Sequence, residues 1–180
     1  MYKLVQAPNS ILNKKLKHVT KIDKAVKRIV SGMQETLDNQ VDPTGVGLAA
    51  NQVGIDMALF IMKPNPDSPT EVIINPKILE VVEAAEKEVI EVEEDGADVP
   101  LEGCLSIPRI WSPVTRAKRV LLYYENLRGE KKEKWFKGFR AVIVQHEVDH
   151  LNGILFTQRA LEQSSKLYEE KDGKLVERKI

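Results

Sequence analysis

Apolar side chains recur at a helical period in the first quarter of the chain. From Val26 they occupy positions i, i+3, i+4, i+7 and i+11, which predicts a helix from about Asp23 to Asp38 with one buried face. Asp23 is suited to cap that helix, because its side chain can accept a hydrogen bond from a free N–H of the first turn. The segment Gly45–Gln52 follows a proline and contains two glycines, which predicts a loop that runs into an extended segment.

Short apolar runs in the middle of the chain predict β-strands, and the last two of these runs are expected to pair as a hairpin. The expected strands cover residues 58–62, 71–74, 118–124 and 132–136. Asn75-Pro76 is expected to close the second strand. The hairpin turn contains Gly129, which can take a positive φ.

The segment Phe139–Leu151 is apolar almost all round, which is typical of a buried helix. Its residues 141–144 alone would also suit a strand, but the length of the segment and the stop signal Asn152-Gly153 favour a helix. Beyond it the pattern is weak. Residues 160–168 are compatible with a helix, and residues 171–174 with a turn between two short strands.

Length and composition fit one soluble domain. The chain has 180 residues, of which 42% are hydrophobic and 30% charged, so we expect a single catalytic domain at residues 1–160 and a C-terminal tail without assigned structure at residues 161–180. The 27 basic and 27 acidic side chains give no net charge, which argues against a specific DNA partner and against an anionic membrane surface. The longest apolar run, residues 57–62, is too short to span a bilayer.

The N-terminus shows no pattern of a secretory or transit peptide, and the single cysteine, Cys104, rules out an internal disulfide. We therefore expect a cytoplasmic, reducing setting. Charge is nonetheless uneven along the chain. Residues 80–102 are strongly acidic and residues 109–140 strongly basic, as solvated faces or as a surface for a polyanionic partner.

The most informative stretch is His146-Glu147-Val148-Asp149-His150. On a helix, residues four apart share a face, so both imidazoles could reach one metal ion, and Glu147 beside that face could act on water without ligating. The alternative is two histidines of the core or the surface. The third histidine, His18, lies among lysines and is expected to be exposed.

A hydrolytic metal site needs a third protein ligand. Cys104 is the candidate, although a lone cysteine is more often a small buried apolar residue. Gln52, after the glycine-rich segment, could donate its amide N–H to a polarised carbonyl oxygen, as oxyanion stabilisers do. Its spacing from His146 does not place it in the site.

Three stretches together resemble the peptide deformylase family. Residues 45–52 resemble its motif GxGxAAxQ, residues 102–106 its motif EGCxS, and residues 145–150 its motif QHExDH, in the family's order. The resemblance implies an α+β fold, in which antiparallel β-sheets wrap around a central metal-binding helix. It also implies removal of the N-formyl group from the initiator methionine of newly made polypeptides, with release of formate.

The resemblance further implies which residues carry the reaction. Cys104, His146 and His150 would ligate one divalent ion, expected to be Fe²⁺, with Zn²⁺, Ni²⁺ or Co²⁺ in purified samples. Glu147 would be the general base and then the general acid. Gln52 and the backbone N–H of Leu105 would be the oxyanion donors.

The substrate is expected to be a nascent N-formyl-methionyl peptide. Val142 and Ile143 share a helix face with His146 and are predicted to line a methionine slot, with plain core packing as the alternative. Backbone groups of Val46, Gly47 and Gly103 are predicted to bind the extended peptide.

Three further expectations concern partners and rivals. Asp149 is expected to pair with a basic residue, Arg116 being the candidate. The ribosome is a further candidate partner, although residues 157–180 lack the basic excess of the family's docking helix, and the basic stretch 109–140 could replace it. Two alternative functions compete with deformylation. One is a metallopeptidase with Glu169 or Glu170 as the third metal ligand, and the other is an inactive binding module with a structural metal.

Overall fold

The computed structural model describes residues 1–83 and 101–179. In these ranges the chain forms two antiparallel sheets and three α-helices. The helices are α1 (Lys24–Asp38), α2 (Phe139–Leu151) and α3 (Phe156–Glu162). The strands are β1 (Gly47–Ala49), β2 (Leu59–Met62), β3 (Glu71–Val82), β4 (Leu101–Cys104), β5 (Ile107–Pro113), β6 (Arg119–Glu125), β7 (Lys131–Lys137), β8 (Leu167–Lys171) and β9 (Lys174–Arg178).

Helix α2 is the centre of this architecture. It packs against β1, β2 and β7 of a five-stranded sheet with the order β1-β2-β3-β6-β7. A four-stranded sheet with the order β4-β5-β8-β9 approaches it through Cys104 of β4. The predicted α+β class, with antiparallel sheets around a central helix, is confirmed, and so are the predicted bounds of α2.

Helix α1 forms as its pattern predicts. Asp23 is its N-cap and accepts hydrogen bonds from the backbone N–H groups of Ala25 and Val26, which would otherwise have no acceptor in the helix. The periodic apolar side chains of its inner face, Val26, Val30, Met33 and Leu37, are buried in the main core. That core lies between α1, α2 and the five-stranded sheet.

The expectation that Asn75-Pro76 closes the second strand is wrong, because β3 continues through both residues to Val82. Asn75 adopts a left-handed conformation with φ 52°, and the pairing of β3 with β6 shifts between Ile74 and Lys77. Asparagine tolerates this conformation. The shift also leaves Pro76, which has no N–H, where the ladder is already interrupted. The strand therefore bends here and goes on.

The side chain of Asn75 holds the bend. Its Oδ1 accepts a hydrogen bond from the backbone N–H of Val19 at 2.8 Å, and its Nδ2 donates to the Val19 carbonyl at 2.9 Å and to Glu125 at 3.0 Å. One side chain thus ties the segment before α1 to two strands of the sheet.

The predicted hairpin is confirmed as β6 and β7. Its turn is stabilised by Asn126, whose side-chain oxygen accepts hydrogen bonds from the backbone N–H groups of Arg128 and Glu130. Gly129 takes a positive φ of 79°, as the sequence indicated.

The C-terminal region contains more regular secondary structure than the sequence indicated, namely α3, β8 and β9. The predicted helix at 160–168 is wrong in its bounds, because α3 ends at Glu162 and Leu167 begins β8. Ser164 at φ 56° turns the chain between the two elements. The predicted turn at residues 171–174 is confirmed between β8 and β9, and the pairing of β8 with β5 joins this region to the four-stranded sheet.

A smaller buried cluster lies between α3 and the four-stranded sheet, and it contains Cys104 together with Ile110, Phe156, Ala160 and Leu167. Most of the acidic segment 80–100, whose role the sequence left open, lies outside the described residues. Among the residues that are described, no helix is both long and apolar enough to cross a membrane.

Replacement of Asn75 by alanine should destabilise the fold. The variant loses three side-chain hydrogen bonds. Alanine also lacks the side-chain amide that makes a positive φ tolerable for asparagine, so we expect the free energy of unfolding to fall by about 3 kcal/mol. Chemical denaturation measures the loss. The matched control is Asn65→Ala at an exposed position, which should change the free energy of unfolding by less than about 0.5 kcal/mol. Equal stability of the two variants would contradict the assigned role of Asn75.

Candidate metal centre

Two elements bring the sequence-predicted ligands together. Helix α2 presents His146 and His150 on one face, one turn apart, with ring centroids separated by 4.9 Å. Strand β4 ends at Cys104 opposite this face, and the Cys104 Sγ lies 3.1 Å from His150 Nε2. The three ligand atoms lie within 4.8 Å of one another.

The chemistry of this cluster fits a divalent cation. All three side chains are buried, and two imidazoles with a thiolate form a donor set that borderline-soft cations such as Zn²⁺ and Fe²⁺ accept. Burial alone would raise the pKa of the Cys104 thiol, but the neighbouring His150 and His146 rings outweigh it and lower this pKa to about 5. The thiolate needed for metal ligation is therefore favoured at neutral pH.

Glu147 follows His146 on α2 and is 3% exposed. Burial raises the pKa of its carboxyl group to about 7. Its Oε2 atom is buried and has no hydrogen-bond partner among the described residues. A carboxyl group with a pKa near neutrality can both accept and release a proton.

Gly47 is a steric requirement for this position of Glu147. A Cβ atom on Gly47 would overlap the Oε1 atom of Glu147, so β1 can pass the carboxyl group only without a side chain at this residue. The glycine-rich segment and the histidine motif are thus fitted to each other.

Gln52 lies in the cluster, which its sequence position alone did not place. Its Nε2 is 3.4 Å from the Cys104 Sγ, and its Oε1 accepts a hydrogen bond from the Ala49 backbone N–H at 2.8 Å. The second bond fixes the orientation of the amide, so that its N–H₂ group points towards the cluster. Leu105, whose backbone N–H is the other candidate donor, directly follows Cys104 at the end of β4.

An ion-pair network behind His146 orients that ring. His146 Nδ1 contacts Glu102 Oε1 at 2.7 Å, and Arg116 binds the same carboxylate through Nε at 3.0 Å and Nη2 at 2.7 Å. Burial opposes the ionisation of Glu102, but the hydrogen bonds from His146 and Arg116 keep its pKa at about 2. With Nδ1 bound to Glu102, the other ring nitrogen of His146 is the one available to a metal.

The predicted pair of Arg116 and Asp149 is confirmed, with Nη1 and Oδ2 2.6 Å apart. Sequence reasoning missed a role for Glu102 and for Arg159, which also binds Asp149. Glu102 could have been found, because residues two apart on a strand face the same side and Cys104 was already a candidate. No pattern in the sequence links Arg159 to Asp149.

Asn51 was also missed. Its Nδ2 donates to the His150 carbonyl at 2.7 Å, and the same carbonyl accepts a hydrogen bond from the Gly153 backbone N–H after the end of α2. It lies next to Gln52, so one short 3-10 helix contacts both the His150 carbonyl and the Cys104 sulfur.

The residues predicted to bind the substrate differ in their exposure. Val46 precedes β1, and Gly103 lies in β4 with the ring of Trp111 over its Cα. Ile143 is 3% exposed and belongs to the main core, as its alternative interpretation held. Val142 is only partly buried.

The remaining residues that the sequence analysis considered lie outside the metal cluster. His18 is exposed, as expected. Glu170 and Glu169 lie on β8, where Glu169 forms an ion pair with Lys171. The metal-ligating group found among residues 1–83 and 101–179 contains neither glutamate, which does not support the metallopeptidase rival.

Comparison with known proteins points to one family. Residues 1–166 match the family model described as polypeptide deformylase. A peptide deformylase from Thermotoga neapolitana is 42% identical over 159 residues, which are 88% of this chain and 87% of that protein. One from Neisseria gonorrhoeae is 38% identical over 157 residues, covering 87% of this chain and 84% of that protein.

Solved structures agree. The crystal structure of peptide deformylase from Thermotoga maritima superposes with a TM-score of 0.73 at 38% identity and covers 88% of this chain and 97% of that one. A Met-Ala-Ser-bound structure of class I type b peptide deformylase from Acinetobacter baumannii gives a TM-score of 0.72 at 34% identity, covering 88% and 98%.

Substitution of Cys104 by serine should weaken metal binding. The thiolate is the strongest donor in the cluster, and a serine hydroxyl does not ionise near neutral pH, so we expect the metal content after purification to fall well below that of the wild type. Elemental analysis of anaerobically purified protein measures this. The control His18→Ala removes the exposed histidine and should retain the metal. Unchanged metal content in Cys104→Ser would support a site with another third ligand.

Proposed function

The chain belongs to the peptide deformylase family, whose activity is the removal of the N-formyl group from nascent peptides, and we propose that Cys104, His146, His150 and Glu147 carry this reaction here. The observation that supports the assignment is the convergence of the sulfur and the two rings within 4.8 Å, with the buried Glu147 beside them. Neither β4 nor α2 alone carries all of these groups, so the site forms only when the two elements meet.

A cation held by Cys104, His146 and His150 would supply Lewis-acid chemistry, which polarises a carbonyl oxygen and lowers the pKa of water. Glu147 takes one proton from the water molecule that attacks the formyl carbon. When the C–N bond breaks, Glu147 donates this proton to the nitrogen of the departing amine, and the products are formate and a free α-amino group. A pKa of about 7 suits both transfers.

Gln52 and the backbone N–H of Leu105 stabilise the negative charge that develops on the formyl oxygen. The Gln52 amide is fixed by its bond to Ala49 and lies beside the Cys104 sulfur, so it needs no reorganisation when the charge appears. A well-placed donor of this kind contributes about 3 kcal/mol to stabilisation of the transition state.

The peptide backbone binds between two strand edges. β1 is the edge of the five-stranded sheet and β4 the edge of the four-stranded sheet, so each has an outer side that no described strand covers. Backbone groups of Val46, Gly47 and Gly103 can therefore pair with an extended peptide, as in strand addition.

The methionine side chain enters a slot beside α2. Val142 lies one turn before His146 on the same face, is partly exposed and forms its wall, whereas the buried Ile143 supports it from the core. The Acinetobacter baumannii structure holds a peptide that begins with methionine, which is consistent with such a slot.

The resident metal is Fe²⁺ in this proposal. Support comes from the family resemblance and from the donor set, which accepts several divalent ions. Zn²⁺, Ni²⁺ or Co²⁺ would bind such N/S sites at least as tightly, so availability in the cell decides which ion is present. The setting in this proposal is the cytoplasm, because the single thiol, Cys104, needs a reducing compartment to remain a metal ligand.

The ribosome is a further partner in this proposal. The strand β7 and the turn before it expose basic side chains on one hairpin, which suits a polyanionic surface: Arg128, Lys131, Lys132, Lys134 and Lys137.

Replacement of Glu147 by glutamine should abolish turnover and leave the metal in place. Glutamine is nearly isosteric but cannot carry the proton, so we expect a loss of at least about 100-fold in kcat for formyl-Met-peptide hydrolysis. An anaerobic assay with metal analysis on the same sample measures both quantities. The control Glu169→Gln, on β8, should keep wild-type activity.

If Glu147→Gln retained turnover, Glu147 would not be the proton carrier. Loss of activity in Glu169→Gln together with loss of metal would instead favour the metallopeptidase.

Charge reversal on the hairpin should weaken ribosome binding. In the triple variant Lys131→Glu, Lys132→Glu, Lys137→Glu we expect several-fold weaker co-sedimentation with ribosomes at low salt and unchanged hydrolysis of a free formyl-Met peptide. The matched control reverses three exposed lysines at Lys15, Lys24 and Lys27. Equal co-sedimentation of both variants and the wild type would exclude the hairpin as the docking surface.

A further inference from the structure

Arg159 of α3 is connected to the metal ligand His146 by an unbroken series of short charged contacts. Its guanidinium binds Asp149 through two hydrogen bonds, Nη2 to Oδ1 at 2.7 Å and Nε to Oδ2 at 3.0 Å. Asp149 Oδ2 also accepts from Arg116 Nη1 at 2.6 Å, and Arg116 binds Glu102 through its other two nitrogens, Nε and Nη2. Glu102 contacts the ring of His146.

Arg159 balances the negative charge of the carboxylates behind His146. The side chains of Glu102, Arg116 and Asp149 are 8%, 8% and 10% exposed, so two carboxylates share one buried guanidinium. Arg159, at 34% exposure, is the outermost member and supplies the second positive charge. Buried carboxylates that lack a matching cation carry a large desolvation cost.

Loss of Arg159 would change how Arg116 divides its donors. At present Arg116 gives two hydrogen bonds to Glu102 and one to Asp149. Without Arg159, the two oxygens of Asp149 would compete for Arg116, and the guanidinium would move away from Glu102. Glu102 would then hold the His146 ring less firmly.

A second contact from α3 reaches the same ring. Phe156 stacks on His146, with centroids 6.2 Å apart and an angle of 25° between the planes. Phe156 packs in the small cluster that contains Cys104. One short helix thus approaches two candidate metal ligands, which makes its placement relevant to the metal centre.

We propose that Arg159 is a positioning residue for the metal centre, which acts on His146 through Asp149, Arg116 and Glu102. The proposal rests on the assignment of His146 as a ligand in the proposed function. It concerns metal affinity, and its test needs no turnover.

The test compares Zn²⁺ affinity by competition with a chelator at neutral pH. In Arg159→Met, which keeps much of the apolar stem and removes the charge, we expect Zn²⁺ binding to weaken on the order of 10-fold, as for other residues that orient a ligand. The control Glu162→Gln removes the exposed ion pair of Arg159 with Glu162 and should leave the affinity unchanged.

A double-mutant cycle separates the relay from a general structural effect. If Arg159 acts through Glu102, then Arg159→Met should change Zn²⁺ affinity by less than about 2-fold in a Glu102→Gln background. An equal loss in both backgrounds, or no loss in the wild-type background, would overturn the proposal. Thermal unfolding of the full-length variants verifies that they are folded.

The conservative variant Arg159→Lys keeps the proposal testable if Arg159→Met does not fold. Lysine retains the charge but not the two-pronged geometry, so we expect an intermediate loss of Zn²⁺ affinity that again depends on Glu102. If Zn²⁺ binding follows these expectations but formyl-Met peptides are not hydrolysed, the proposed function fails and the positioning role stands. If the peptides are hydrolysed and Zn²⁺ affinity does not respond, the positioning role fails alone.

Discussion

The candidate metal centre depends on bringing one sulfur and two imidazoles to within 4.8 Å of each other inside the protein. These groups come from β4 and α2, which belong to different layers of the fold, and Cys104 precedes His146 by more than forty residues in the sequence. One helix is sufficient to bring the two histidines together. The sulfur reaches them only because β4 of the four-stranded sheet ends beside α2. The position of the four-stranded sheet relative to α2 is therefore the geometric condition on which a metal site depends.

The surroundings of the cluster meet the electrostatic cost of this arrangement. Polar and charged groups that are buried must be paired or hydrogen-bonded. The Cys104 thiolate receives hydrogen bonds from Gln52 and from the Ser106 backbone N–H. Behind His146, Glu102 and Asp149 share Arg116, and Arg159 adds the second positive charge. The same charges that stabilise the buried carboxylates also fix the ring that would bind the metal.

Local patterns predicted elements well where one interaction decided the outcome, and poorly where two competed. The periodic apolar face and the Asp23 cap were sufficient for α1. At Asn75-Pro76 the local signal favoured a stop, but the side-chain bonds of Asn75 to Val19 and Glu125 hold a bend and let the strand continue. Near residue 163, α3 ends earlier than its composition indicates, because β8 pairs with β5 and needs an extended chain from Leu167.

The sequence by itself determined the reactive groups: the histidine pair with Glu147, the single thiol at Cys104 and the glycine-rich segment with Gln52, because residue type and short-range spacing fix what chemistry is possible. It also determined the helix that carries the pair. Only the tertiary structure decided that Gln52 lies beside the sulfur, that Gly47 makes room for Glu147 and that Arg159 joins the network behind His146. These contacts cross between sheets and helices, and no local pattern encodes a distance between elements that meet only when the chain has folded.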